Sequence, residues 1–162
     1  MPGSGKTTFG KQLAKQLQRQ FYDLDQAIVG EMGMTISDIF SMHGESYFRD
    51  IESKLLHATQ QLKNVVIATG GGCAAYHHNM KWMNEYGLTI YLRANISLLT
   101  HRILASKQAR PLFEGLNLDG ISQKLQAIAG VRLPFYEQAA IVVDVPVKSL
   151  ETLVKSTDFK GF

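Results

Sequence analysis

The sequence predicts an α/β protein of three layers, a parallel sheet with helices on both faces. Strand-length apolar runs alternate with helix-period segments along the chain, the signature of a parallel sheet sandwiched by helices. One of those runs, Val65-Val66-Ile67-Ala68-Thr69, is continuously apolar, as in a parallel strand covered on both sides. The chain also opens on a glycine-bearing turn that runs straight into an amphipathic segment, a ready-made anion site at a helix N-terminus. With 162 residues and 45% hydrophobic content, one domain spanning 1–162 can bury a sizeable core.

The elements follow in order. Phe9, Leu13 and Leu17 recur at four-residue spacing and give the first helix an apolar stripe. Phe21-Tyr22-Asp23-Leu24-Asp25 reads as a short strand ending in carboxylates, and Thr35-Ile36-Ser37-Asp38 as a helix start. A longer helix is expected from Glu45 to Lys63, with Phe48, Ile51, Leu55, Ala58 and Leu62 on one face. The 65–69 strand stops at Gly70-Gly71-Gly72. Leu88 to Leu92 forms another strand, and a helix covers Ile96 to Ser106. A polar stretch from Lys107 to Gly120 leads to a helix near Ile121 to Gln138. Ile141 to Val145 is the last strand, and Leu150 to Lys155 the closing helix.

The opening residues, Met1-Pro2-Gly3-Ser4-Gly5-Lys6-Thr7-Thr8, fit the phosphate-binding pattern G-x-x-x-x-G-K-[ST] without its first glycine. Gly3, Ser4, Gly5, Lys6, Thr7 and Thr8 are therefore candidate nucleotide-binding residues. Backbone N–H groups would cradle the phosphates, Lys6 would reach the β- and γ-phosphates, and the Thr7 hydroxyl would ligate Mg²⁺. In such folds a buried mid-sheet strand leads into the loop, and its absence would leave ladder partners unpaired on two sides. Two readings compete: the chain continues upstream with Met1 internal to the loop, or it is a damaged paralogue. The first is preferred because the remaining motifs are intact.

Asp23 and Asp25, two apart on a strand, would project near one end with Leu24 facing away. Beside a triphosphate, one carboxylate can hold metal-bound water while the other takes a proton from a hydroxyl. The plainer alternative is a pair of acids capping a turn. On spacing alone, Arg49 is explained by ion pairs with Glu45 or Glu52.

Five motifs occur in the order seen in shikimate kinases. They are Asp23-Leu24-Asp25, the Gly44 to Glu52 segment, Gly70-Gly71-Gly72, Arg110-Pro111-Leu112 and Arg132-Leu133-Pro134-Phe135-Tyr136. The chain resembles that family over its length except for the first strand. The resemblance implies a P-loop kinase of the nucleoside-monophosphate-kinase type with a five-stranded parallel sheet, the first strand absent here. It further implies a substrate-binding helical region at about 25–60 and a lid at about 107–120. The implied activity is transfer of the ATP γ-phosphate to the 3-hydroxyl of shikimate, with Mg²⁺.

By the same resemblance Asp25 is the catalytic base and holds shikimate hydroxyls, and Asp23 supports Mg²⁺ through water. Arg49 and Arg132 bind the substrate carboxylate, and Gly70, Gly71 and Gly72 lie against its ring. Lys6 and Arg110 act on the transferring phosphoryl group, Arg110 from the lid, and Arg102 matches a position that stacks on adenine in some members. A related gluconate kinase and a non-catalytic nucleotide-binding remnant are the alternatives. The Arg49 and Arg132 pair and the Asp-Leu-Asp strand favour shikimate.

The remaining features set bounds. A net charge of +3 and a pI near 9.0 suit anionic ligands, and the scattered basic residues argue against nucleic acid. No apolar run is long enough for a membrane span, and one cysteine fits a cytoplasmic enzyme. A monomer is the simplest expectation. His77-His78 reads as an exposed turn rather than a metal site, Cys73 as a buried thiol, and Met80, Trp82 and Met83 as packing residues.

Overall fold

The computed structural model describes residues 1–106, 111–147, 149–157 and 159. Among them, strands β1 (Gln20–Asp23), β2 (Val65–Ala68), β3 (Ile90–Arg93) and β4 (Ile141–Asp144) alternate with seven α-helices. These are α1 (Lys6–Leu17), α2 (Leu24–Met32), α3 (Ile36–Ala58), α4 (Asn79–Tyr86), α5 (Ile96–Leu104), α6 (Leu118–Tyr136) and α7 (Leu150–Ser156). Both strand pairings are parallel: β1 with β2, register Gln20 to Val65, and β3 with β4, register Ile90 to Ile141. The α/β class with parallel strands and helical layers holds.

Among the described residues the parallel strands pair two by two, β1-β2 and β3-β4, with open edges on two sides as expected of a sheet without its first strand. The interruption falls between β2 and β3, where an apolar cleft of about 500 Å³ separates them. Its effect shows in the burial of β2. Val65, Val66 and Ile67 are only half-buried, although their run is as apolar as a fully covered parallel strand. The core is divided in the same way. One cluster gathers Leu99, Ile103, Ile121 and Leu125 of α5 and α6 around Met1 and Tyr91. The other packs Leu24, Ile28, Ile39, Phe48 and Leu56 of α2 and α3 around Cys73.

Local chemistry explains the element boundaries, and in places corrects the sequence reading. The expected strand at 21–25 ends at Asp23, because its carboxylate accepts from Asp25 N–H at 3.1 Å and Gln26 N–H at 3.3 Å and so caps α2. Thr35 and Asp38 form a reciprocal capping box that starts α3. The two helices expected on either side of Gly44 form one kinked element, broken where Gly44 adopts φ 83°. The second half ends at Ala58, short of Lys63. Its buried stripe is Phe48, Glu52 and Leu56, whereas Ala58 and Leu62 are exposed. Counting apolar residues alone misplaced this face, since two of its buried members are Arg49 and Glu52. In the segment before α6, residues 111–113 form a 3₁₀ turn with Phe113 buried, and α6 begins at Leu118, inside the expected lid boundary.

Candidate active site

The P-loop backbone takes the shape its glycines permit. Gly3 and Gly5 have φ of 76° and 89°, in the left-handed region that L side chains rarely adopt. Gly5 is the N-cap of α1. No side chain caps this end and no acid lies in its first turn, so its N–H groups and positive dipole end stay open to an anion. Lys6 Nζ donates to Met1 O at 3.1 Å, folding back over the loop. The Ser4 hydroxyl is buried within the loop and has no hydrogen-bond partner among the described residues.

Thr7 and Asp23 meet at the ends of α1 and β1, where Thr7 Oγ1 donates to Asp23 Oδ2 at 3.2 Å. A hydroxyl and a carboxylate side by side at the loop are oxygen donors of the kind Mg²⁺ takes when phosphates and water complete its shell. No group of three or more His, Cys, Asp or Glu among the described residues would hold a metal by itself. The donor set therefore fits a nucleotide-borne ion and not a protein cage.

Asp25 stands in the first turn of α2, not on the strand as the sequence suggested, while Leu24 is fully buried. Burial raises the Asp25 carboxyl above the usual carboxylate range. The charge of Asp23 adds to that rise, and Lys6 and Arg49 oppose it. A carboxylate held partly desolvated in this way is a better proton acceptor near neutral pH than an exposed aspartate.

Arg49 settles the question its spacing left open. Both ion pairs form: Nη1 to the buried Glu52 Oε2 at 2.7 Å, and Nη2 to Oε1 of the exposed Glu45 at 2.9 Å. Nε also donates to Glu45 at 3.1 Å, and Tyr76 OH donates to the same oxygen at 3.0 Å. The guanidinium carbon lies 4.5 Å from the Tyr76 ring centroid and 5.0 Å from that of Phe48, within cation–π range. Burial works against the Arg49 charge, but Glu52 and Glu45 outweigh it and hold its pKa above the usual range. Arginine has five N–H donors. The glutamates use three of them, and the guanidinium lies against Gly72 of the glycine loop.

At Gly70 and Gly72 charged side chains fill the space a Cβ would need. A Cβ on Gly72 would overlap the Arg49 guanidinium, and one on Gly70 would lie 2.5 Å from Glu52 Oε1 and 2.9 Å from Asp25 Oδ1. Gly71 faces Arg132, whose Nη1 would be 3.5 Å from a Cβ there. Tyr136 OH donates to Gly71 O and anchors the loop to α6, one turn beyond Arg132. Asp25, Arg49 and Arg132 thus gather around the three glycines, beside Pro2 of the P-loop.

Glu52 is the site residue that the sequence reading passed over. It is fully buried, and its Oε1 has no hydrogen-bond partner among the described residues. Burial raises its carboxyl, Arg49 pulls it back, and Asp25 adds to the rise. An unpaired buried acceptor next to Asp25 is a natural seat for a hydroxyl donor. Its position four residues after Phe48 on a buried stripe was the available signal.

Arg102 lies on the other side of the P-loop, its Nη1 3.4 Å from both Gly3 O and Ser4 O. It lines a second cleft with Thr8, Gln12, Val145 and Val147. Arg110 lies outside the described residues. Cys73 is fully buried with its thiol pushed up by burial, and His77 and His78 form a left-handed turn in which His77 reaches Asp50 at 3.1 Å.

A family model described as "Shikimate kinase" matches residues 2–156. The shikimate kinase of Bacteroides fragilis is 39% identical over 137 residues, 85% of this chain and 76% of that protein. That of Azobacteroides pseudotrichonymphae is 40% identical over 155 residues, covering 95% and 91%. Among solved structures, Bacteroides thetaiotaomicron shikimate kinase superposes with a TM-score of 0.85 at 37% identity, covering 88% of this chain and 81% of the other. Acinetobacter baumannii shikimate kinase in complex with shikimate gives 0.83 at 34% identity, covering 96% and 86%.

Proposed function

The chain belongs to the shikimate kinase family, and from that premise we infer that its site passes the γ-phosphate of ATP to the 3-hydroxyl of shikimate. One observation carries this reading. Asp25, Arg49 and Arg132 all lie against the Gly70–Gly72 loop, which also meets Pro2 next to an open P-loop helix end. A hydroxylated carboxylate therefore has its recognition groups within reach of a triphosphate.

The shikimate carboxylate takes the free donors of Arg49 together with Arg132. Its hydroxyls take Asp25 and the unpaired Glu52 Oε1, and its ring lies on the glycine loop. The 3-hydroxyl oxygen bonds to the γ-phosphorus as the bond to the β–γ bridging oxygen breaks. Asp25 accepts the hydroxyl proton, and ADP departs with the bridging oxygen. Lys6 and the N–H groups of Gly3 to Thr8 stabilise phosphate charge, with Arg110 as a further cation on the transferring group and Arg102 bordering the base. Thr7 and Asp23 would hold Mg²⁺, which when bound neutralises phosphate charge. A monomer in the cytoplasm suits a site completed within one chain whose single thiol is buried.

The test is ADP release from Mg-ATP with shikimate, with gluconate, and with no acceptor. Release that depends on shikimate supports the reading. Release with gluconate alone, or equal release in all three, would overturn it.

A further inference from the structure

We propose that Tyr76 is a positioning residue for the acceptor, its ring and its hydroxyl together fixing the orientation in which the Arg49 guanidinium meets a substrate carboxylate. The inference deepens the kinase reading and rests on it, because the carboxylate that Arg49 would receive is that of shikimate.

Arg49 has two carboxylate partners of unlike firmness. Glu52 is fully buried and held by packing, whereas the Glu45 side chain is 49% exposed. An exposed glutamate on a helix can leave its arginine for water, and such a pair by itself adds little. Tyr76 removes that freedom. Its OH donates at 3.0 Å to Glu45 Oε1, the same oxygen that accepts Arg49 Nε at 3.1 Å and Nη2 at 2.9 Å. Its ring centroid lies 4.5 Å from the guanidinium carbon, nearer than Phe48 at 5.0 Å or Phe40 at 6.0 Å. A guanidinium is a planar fork, so a stacked ring fixes its plane and a carboxylate on one edge fixes its rotation within that plane. With both set, the donors left for a ligand have one direction.

Tyr76 can do this because its own backbone is tied to α3, the helix that carries Arg49. It follows the short 3₁₀ turn Cys73–Ala75 and is extended, with φ −119° and ψ 155°. The buried Asn79 donates from Nδ2 to Cys73 O at 3.0 Å and accepts from Ser53 Oγ at 2.8 Å. Asn79 N–H also donates to Tyr76 O at 2.9 Å. The segment therefore meets α3 at Ser53 through Asn79, at Asp50 through His77, and at Glu45 through Tyr76 itself. Groups set in place before the ligand arrives lower the ordering cost of binding. The effect of Tyr76 belongs to acceptor binding and not to the chemical step.

The experiment compares the parent chain with Tyr76→Phe and Tyr76→Leu, using shikimate and its analogue with a hydroxymethyl group in place of the carboxylate. Tyr76→Phe keeps the ring and loses the hydroxyl. Its shikimate KM should rise about 3–10-fold, with kcat, the KM for ATP and Tm unchanged. Tyr76→Leu loses both contacts, and the rise should reach about 10–100-fold. Neither variant should change the KM for the hydroxymethyl analogue, which has no carboxylate for Arg49 to receive. In a Glu45→Ala background Tyr76→Phe should add nothing, since the hydroxyl acts only through Glu45. A shikimate KM within about twofold of the parent in both variants overturns the proposal. So does an equal rise for the analogue, or a fall in Tm with equal losses for ATP and shikimate, which makes Tyr76 a packing residue. A parent that turns over no shikimate sinks the kinase reading and this proposal with it. A parent that does, beside unaffected variants, sinks this proposal alone.

Discussion

On the acceptor side of the site, Arg49 is 6% exposed and bonded to two glutamates, Glu52 is fully buried, and the glycine loop is pressed against both. On the proposed nucleotide side the groups on offer are backbone N–H donors at the end of α1. They are accompanied by a lysine folded over the loop and by an arginine at 3.4 Å from two carbonyls. A ring with several hydroxyls and a carboxylate must be held by directional side chains, and these keep their geometry only if packing locks them. Phosphate can be held by main chain, which any sequence supplies once the loop has its glycines. Stability and recognition are therefore entangled on one side and separable on the other.

The largest effect expected is on turnover. Asp25→Asn should lower kcat by about 10²–10⁴-fold while ATP binding is kept, the span general-base removal produces. Turnover within a few fold of the parent would remove Asp25 from the base role. The same variant reports on stability. Because the folded-state pKa of Asp25 is raised, the folded chain holds that proton better than the unfolded one. The stabilisation is present below the ordinary value of 3.8 and is lost as pH rises through the folded value. Asp25→Asn should therefore melt higher than the parent at neutral pH, with the gap closing near pH 3.8. The parent's kcat should fall with acidification through a pH above the usual carboxylate range.

The two arginines give the sharpest test of entanglement. Arg49→Ala strands Glu52 as an unpaired buried carboxylate, and should destabilise the fold by about 3–5 kcal/mol as well as raising the shikimate KM. Arg132 is half-buried. Arg132→Ala should raise the KM by roughly 10–100-fold, the worth of charge-assisted hydrogen bonds, with little change in Tm. Equal melting shifts for the two would erase the distinction. Gly72→Ala is smaller: displacing the Arg49 guanidinium should cost about 1–3 kcal/mol by overpacking and weaken shikimate more than ATP. A variant that binds both substrates as the parent does would show that the loop yields freely. Arg102→Ala should be the mildest, a few-fold rise in the KM for ATP with unchanged Tm, and it tests whether the nucleotide side tolerates loss of a side chain.

The sequence made the nucleotide side legible because its determinants are local: a loop pattern and a helix start lie within eight consecutive residues. It also placed all four strands within about two residues at each end, since short apolar runs bounded by glycine and polar residues have few other solutions. What it missed was the identity of buried polar groups. Glu52 looks like one more acid on a helix until Arg49 and Gly70 are seen to enclose it. Asp25 was assigned to a strand because nothing in the chain's periodicity says that Asp23 will turn its carboxylate onto the next two N–H groups. The split of the sheet was expected as unpaired edges, but not as a division of the core into two clusters.

The enclosure of Arg49 also sets the kinetics of encounter. Around the acceptor pocket three cations, Lys6, Arg49 and Arg132, are set against the carboxylates Asp23, Asp25, Glu45 and Glu52. Seen from beyond a Debye length of about 8 Å, these charges largely cancel, so the pocket projects little field into solution. On the proposed reading a monoanionic acceptor is not drawn in from a distance but recognised on contact, donor by donor. Its capture rate should accordingly be almost indifferent to ionic strength, and the enzyme can distinguish among the many small carboxylates of a cell without concentrating all of them at its mouth.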